Sequence, residues 1–219
     1  MQGEITKAIK ELTGEDVNLE GSGRTDSGVN AIGQAAHFDT MSTMPANAFV
    51  PALNNILKED VQIKNAIDVS SDFHARYSVK RKTYIYKIYV SKTASPIKDL
   101  LAMRINRDFI DIRKMNEACK YLIGKKDFSS FKCARSAITN NVRTIYSAEV
   151  YEAGDFVEFK ICGNGFLHNM VRIIAGTLID VGTGKLKPED IETIMVLKDR
   201  TKASKTAKAH GLYLESVEY

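Results

Sequence analysis

Arg24 and Asp26 stand two residues apart in the stretch Gly21-Ser-Gly-Arg-Thr-Asp-Ser-Gly-Val-Asn-Ala31, which places three glycines inside eight residues. Glycine adopts φ > 0 without steric cost and lets a second backbone come close, so the stretch reads as a tight, shaped loop. A carboxylate and a guanidinium fixed on such a loop can be aimed at one spot. If Asp26 stays ionised beside an arginine, it can act as nucleophile or general base without a metal. The same pattern also describes a turn held by side-chain hydrogen bonds, and spacing alone does not separate the two. A dinucleotide- or phosphate-binding loop ranks far lower, because the glycines do not follow GxGxxG and no P-loop lysine follows them.

Other residue types narrow the chemistry. His37, His74, His168 and His210 are far apart and show no metal-ligand spacing. Cys119, Cys133 and Cys162 are odd in number and form no CxxC pair, which predicts reduced thiols in a cytoplasmic protein. Arg172 sits inside Met170-Val-Arg-Ile-Ile174. An arginine beside such an apolar stripe either snorkels to water or pairs with a carboxylate.

Charge is unevenly placed along the 219 residues. Residues 1–70 carry 5 Lys/Arg against 10 Asp/Glu, whereas the rest carry 26 against 17. A phosphate-rich partner would meet the later two-thirds of the chain; a lysine-rich solvated surface has the same composition. Between 72 and 92 only Asp72 opposes Arg76, Lys80, Arg81, Lys82, Lys87 and Lys92. Residues 83–90, Thr-Tyr-Ile-Tyr-Lys-Ile-Tyr-Val, have strand composition. Alternation puts Tyr84, Tyr86, Ile88 and Val90 on one face and Ile85, Lys87 and Tyr89 on the other. Basic residues beside aromatics suit a nucleic acid, where charge holds phosphates and a ring stacks on a base. Strand tyrosines also serve as core or cross-strand pairs.

The elements that must position these residues follow from periodicity. Ile5, Ala8, Ile9 and Leu12 predict a helix over 2–13, stopped by Gly14. Pro45 opens a second helix to about Lys58, with Ala46, Phe49, Val50, Leu53 and Ile56 inward. Strands are expected near Val17, at 34–40, at 61–69 and at 100–105, and Ser95-Pro96 starts a loop. A third helix spans 112–124, with Met115, Ala118, Cys119 and Leu122 inward, and 125–131 form a polar, aromatic loop. Residues 141–162 read as a hairpin turning at Ala153-Gly-Asp155. A long helix covers 166–181 with Leu167, Met170, Ile174 and Leu178 buried, ended by Gly182 and Gly184. A last helix runs from Pro188 to about Leu197. Residues 198–210 form a basic loop, mobile or facing substrate, and 211–219 a closing strand. With 44% apolar and 26% charged residues and no apolar run near the ~20 needed to span a bilayer, the chain is an ordinary globular one with no membrane segment. Met1 leads straight into a helical pattern, which predicts no secretory leader. Helix, strand-rich part and helix occur twice, giving an α+β fold of two subdomains, 1–71 with the Asp loop and 72–219 with the basic surface. Their sheets should be antiparallel and flanked by helices.

Several separated stretches resemble the tRNA pseudouridine synthase A family in the same order. They are Gly23-Arg-Thr-Asp-Ser-Gly-Val29, Gly33-Gln34 with His37-Phe38, Phe73-His-Ala-Arg76 and Lys82-Thr-Tyr-Ile-Tyr86. Asp127-Phe-Ser-Ser-Phe131, Phe166-Leu-His-Asn-Met-Val-Arg172 and Ala207-Lys-Ala-His-Gly-Leu-Tyr213 follow. The resemblance implies the pseudouridine synthase fold and covers nearly the whole chain. It implies that Asp26 is the nucleophile and that Arg24 extrudes the base and holds the loop. It implies that Tyr84 stacks on the uracil, that Arg172 pairs with Asp26, and that Leu212 lines the base pocket. Arg76, Lys80, Arg81 and Lys82 would bind RNA. The family acts as a homodimer without cofactor or metal. Its targets are uridines at about positions 38–40 of the tRNA anticodon arm, which must leave their stack to react.

Those roles suit the chemistry. The N1–C1′ bond breaks, the uracil turns, and C5 joins C1′; nothing is oxidised. A carboxylate can add to C6 of the ring or to C1′ of the sugar, and both routes stay open. A buried Asp without a counter-charge would protonate and lose nucleophilicity, which gives Arg172 a reason to stand among apolar residues. Two departures stand out: the family usually has histidine where Asn30 stands, and it opens with a strand and a Tyr-Asp-Gly to Gly-Trp-Gln segment before the first helix. Here Met1-Gln2 begins within that helix and no Trp occurs. A second reading of the same features is therefore a tRNA-binding module made inactive by the missing N-terminal segment.

Overall fold

The computed structural model describes residues 1–134 and 139–219. Its helices are α1 (Gln2–Thr13), α2 (Phe49–Ile56), α3 (Pro96–Leu101), α4 (Ile112–Lys120), α5 (Met170–Gly182) and α6 (Asp190–Leu197). Its strands are β1 (Glu20–Gly21), β2 (Asn30–Ala31), β3 (Ala36–His37), β4 (Arg81–Val90), β5 (Met103–Ile105), β6 (Gly124–Asp127), β7 (Val142–Ala153), β8 (Phe156–Gly163) and β9 (Leu212–Glu218). By packing, the chain divides into two units. One comprises Met1–Arg24 with Ala35–Val79, the other Thr25–Gln34 with Lys80–Tyr219. The segment carrying Asp26 therefore packs with the second unit, not with the remainder of the first 71 residues.

In the first unit, α1 turns Ala8 and Ile9 inward and ends at Gly14 in the left-handed conformation, as its periodicity predicts. Phe49 and Leu53 of α2 meet them, and Leu19, Phe38, Ile56, Leu57 and Ile63 complete the core. β1 and β3 pair antiparallel, Glu20 opposite His37. The strand expected at 61–69 does not form. Asn54 takes both backbone groups of Ile63, accepting from its N–H at 2.7 Å and donating to its carbonyl at 2.9 Å. The groups a ladder would use are thereby spent on a side chain.

The second unit is built on one sheet in the order β2-β9-β4-β8-β7-β6, with β5 alongside β4. β9 through β6 pair antiparallel, while β2 joins β9 and β5 joins β4 in parallel. β4 lies in the middle, and both its faces are covered, which accounts for its run of Tyr, Ile and Val. Tyr86 and Ile88 enter the main core with α4 and α5, and Tyr84 packs against it. On the opposite face, Ile85 and Tyr89 are buried as well.

Several local details differ from the sequence reading. Ser95-Pro96 starts α3 rather than a loop: Ser95 caps it and the proline occupies its first turn. α4 stops at Lys120, which frees Gly124–Asp127 to pair with β7. α5 is buried nearly all round, with Ile173, Ile174 and Leu178 fully enclosed. The 198–210 segment is pinned rather than mobile. Ala207 N–H donates to the Arg172 carbonyl at 3.1 Å, Ser204 N–H donates to Thr177 Oγ1 at 3.3 Å, and Ala203 and Ala207 are buried. This strap crosses α5 at Gly176, where an added Cβ would run into the Lys205 carbonyl oxygen.

Candidate active site

Asp26 opens a turn closed by the Val29 N–H donating to the Asp26 carbonyl at 3.1 Å. Gly28, third in that turn, has φ +80°, the conformation a type II turn demands there. The turn leads into β2, which is fixed beside β9. Asn30 adds to this fixture by donating from Nδ2 to the His210 carbonyl at 2.9 Å. The Asp26 carboxylate is thus carried on a tight turn tied to the sheet.

Arg172 comes to it from the first turn of α5. Its Nη1 donates to Asp26 Oδ2 at 3.0 Å and to Asn169 Oδ1 at 2.8 Å, and its Nε donates to the Ala207 carbonyl at 2.8 Å. The arginine therefore pairs rather than snorkels. The second carboxylate oxygen, Oδ1, lies 3.2 Å from His168 Nε2. The Arg172 side chain is 17% exposed, that of Asp26 32% and that of His168 49%. The pair is partly withdrawn from water while the histidine side stays open.

Tyr84 projects from β4 toward the same place. Its ring meets Phe166 edge-on, with centroids 5.1 Å apart at 84°. Burial, with the Asp26 charge adding to it, pushes the Tyr84 phenol up to about 12. It is neutral at physiological pH. The next tyrosine on that face, Tyr86, donates to the Lys208 carbonyl at 2.8 Å and is committed to the core. Leu212 heads β9 opposite Tyr86 and is buried.

The structure thus brings Asp26, Arg172 and Tyr84 together within the second unit. Lys80, Arg81 and Lys82 lead into the same strand as Tyr84; Arg81 lies over the Tyr146 ring at 4.9 Å and 3.9 Å from Glu218. Arg24 and Arg76 belong to the first unit and are exposed. There the Phe73-His-Ala-Arg76 motif is locally organised, with His74 Nε2 3.2 Å from Glu20 Oε2 and its ring 4.7 Å from that of His37.

Sequence reasoning missed two residues. His168 lies in the turn just before α5, and its only sequence signal is its place in the Phe166–Arg172 motif. Asn169 takes φ +62° ahead of α5, a conformation asparagine tolerates better than most residues, and its side chain steadies Arg172. Among the described residues, no group of three or more His, Cys, Asp or Glu is placed to hold a metal, and no helix is long and apolar enough to cross a membrane.

Comparison with known proteins gives the family. A family model described as tRNA pseudouridine synthase matches residues 1–78 and 118–219. The tRNA pseudouridine synthase A of Caldicellulosiruptor saccharolyticus is 49% identical over 219 residues, all of this chain and 89% of that protein. That of Bacillus licheniformis is 44% identical over 221 residues, with the same coverage. The Clostridium tetani protein named tRNA pseudouridine synthase A 2 is 46% identical and 88% covered. The chain belongs to the tRNA pseudouridine synthase family. It is an isomerase that forms pseudouridine in tRNA.

Proposed function

We propose that the protein isomerises uridines in the anticodon arm, at about positions 38–40, after flipping each from its stack, and that Asp26 is the nucleophile. The observation that carries this is the Asp26 carboxylate held at one oxygen by Arg172 and at the other by His168, beside Tyr84. Arg172 supplies the counter-charge a withdrawn carboxylate needs. Asp26 adds to C6 or C1′ and the N1–C1′ bond opens. The uracil turns and C5 bonds to C1′, the bond from Asp26 to C1′ or C6 breaks and returns the carboxylate, C5 loses its proton, and N1 takes one up. The Tyr84 ring offers a stacking face for the flipped base, which helps offset the few kcal/mol of unstacking. Leu212 contributes to the apolar side of the base site, and Arg24 extrudes the base.

Arg76, Lys80, Arg81 and Lys82 hold backbone phosphates. The protein works in the cytoplasm as a homodimer, without cofactor, and the unit that holds the Asp loop also holds the basic start of β4. Tritium release from C5-labelled uridine in tRNA tests the central assignment. Asp26→Asn should abolish release and leave tRNA binding near wild type. Persistent release would show that another group is the nucleophile.

A further inference from the structure

A cavity of about 620 Å³ lies in the second unit, walled by β5 and the residues after it, the C-terminal half of α5, and the strap at Lys205–Ala207. Asp26 is not among its walls. Arg104, Arg107, Lys185 and Lys205 line it against one carboxylate, Asp180. That carboxylate is already taken, with Oδ1 2.8 Å from Lys185 Nζ. Arg104 Nη1 donates to the Lys92 carbonyl at 3.0 Å. Asp108, the neighbour of Arg107 in sequence, pairs with Lys92 at 2.8 Å. Arg107 and Lys205 therefore have no carboxylate partner among the described residues. Uncompensated cations gathered around one concavity raise the local concentration of anions, most of all of polyanions.

We propose that this cavity binds phosphate, and that in the working enzyme the phosphate belongs to the tRNA backbone outside the nucleotide that reacts. Arg172, Gly176 and Ile179 follow one another on a single face of α5, and Gly176 and Ile179 are cavity walls. At 1.5 Å per residue, the Asp180 end of the cavity lies about 12 Å along the helix from Arg172. That separation is within the reach of a few nucleotides of an RNA chain whose reacting uridine sits at Asp26. This step rests on the reading of Asp26 as the reacting centre.

The test measures tRNA affinity of the full chain against salt concentration. Arg107→Ala and Lys205→Ala should each weaken binding several-fold at low salt and flatten the log–log slope by about one; Arg107→Lys should keep the wild-type slope. In parallel, inorganic pyrophosphate is titrated calorimetrically into the wild type and the Arg107→Ala/Lys205→Ala double variant. Flattened slopes support the proposal whether or not pyrophosphate binds. Unchanged slopes with pyrophosphate bound only by the wild type overturn the tRNA assignment in favour of a free phosphate ligand. Unchanged slopes with no pyrophosphate binding overturn the site altogether. Asp26→Asn separates this from the catalytic reading, since it should remove tritium release while leaving the salt slope as in the wild type.

Discussion

Arg172 reaches Asp26 from 146 residues further along the chain, with Nη1 3.0 Å from Oδ2. The same side chain is moored at Nε by the Ala207 carbonyl. One guanidinium therefore joins the glycine turn, the start of α5 and the strap before β9.

Lysine carries the same charge without the planar fork. Arg172→Lys cannot hold Asp26, Asn169 and Ala207 together. Tritium release should fall by about 10²-fold, the scale on which loss of one preorganised electrostatic contact is felt. tRNA affinity should change far less. Release within about twofold of wild type would remove the guanidinium from the chemistry.

His168 is far more exposed than Arg172, so its contact with Asp26 is expected to contribute about 0–1 kcal/mol. His168→Ala should slow release by no more than about fivefold. A hundredfold loss in single-turnover kinetics would instead place the imidazole among the groups that move a proton.

Alkaline pH should destabilise the fold in a defined window. The Tyr84 phenol is pushed up to about 12 from 10.0, mainly by burial, and the Cys119 thiol to about 12 from 9.0, also by burial. In each case the unfolded chain loses its proton first, so the folded state binds more protons between those limits. The stabilisation from keeping these groups neutral is whole below pH 9 and drains away as pH rises toward 12. Chemical denaturation midpoints measured from pH 8 to 11 should decline, and the decline should be shallower in Tyr84→Phe. A flat profile, or one identical in that variant, would contradict the burial of the phenol.

Gly176 lets the strap lie against α5, and a methyl group there meets the Lys205 carbonyl. Gly176→Ala should lower stability by ~1–3 kcal/mol as the strap is forced outward. It should also loosen Arg172 through Ala207. A melting temperature several degrees lower, with release reduced more than tRNA binding, is the expected pair of results. A wild-type melting curve would mean that the strap accommodates the methyl group.

What the sequence made legible was whatever local periodicity controls. α1 and α4 bury the residues their spacing predicts, and the β7–β8 hairpin turns at Gly154-Asp155 as read. The apolar run around Arg172 left snorkelling and pairing both open; the contact with Asp26 that the structure shows is the one the family resemblance implied. Non-local hydrogen bonding was not legible. Val61–Val69 has strand composition, yet Asn54 captures Ile63. The lysine-rich 198–210 segment looks solvated, yet the small side chains of Ala203 and Ala207 let it bed down on α5. His168 and Asn169 stood inside the Phe166–Arg172 motif without an assigned role, because their contacts arise only where the chain turns into α5.

The mooring of Arg172 to Ala207 also bears on how this chain can drift in evolution. An inserted or deleted residue between Ala203 and Ala207 would shift which carbonyl faces Nε and drag the guanidinium off Asp26. Length changes at the exposed Gly154-Asp155 tip leave that guanidinium alone and touch only the Asp155–Lys98 ion pair. Among descendants that keep turnover, the strap should hold a constant length while the hairpin tip varies freely.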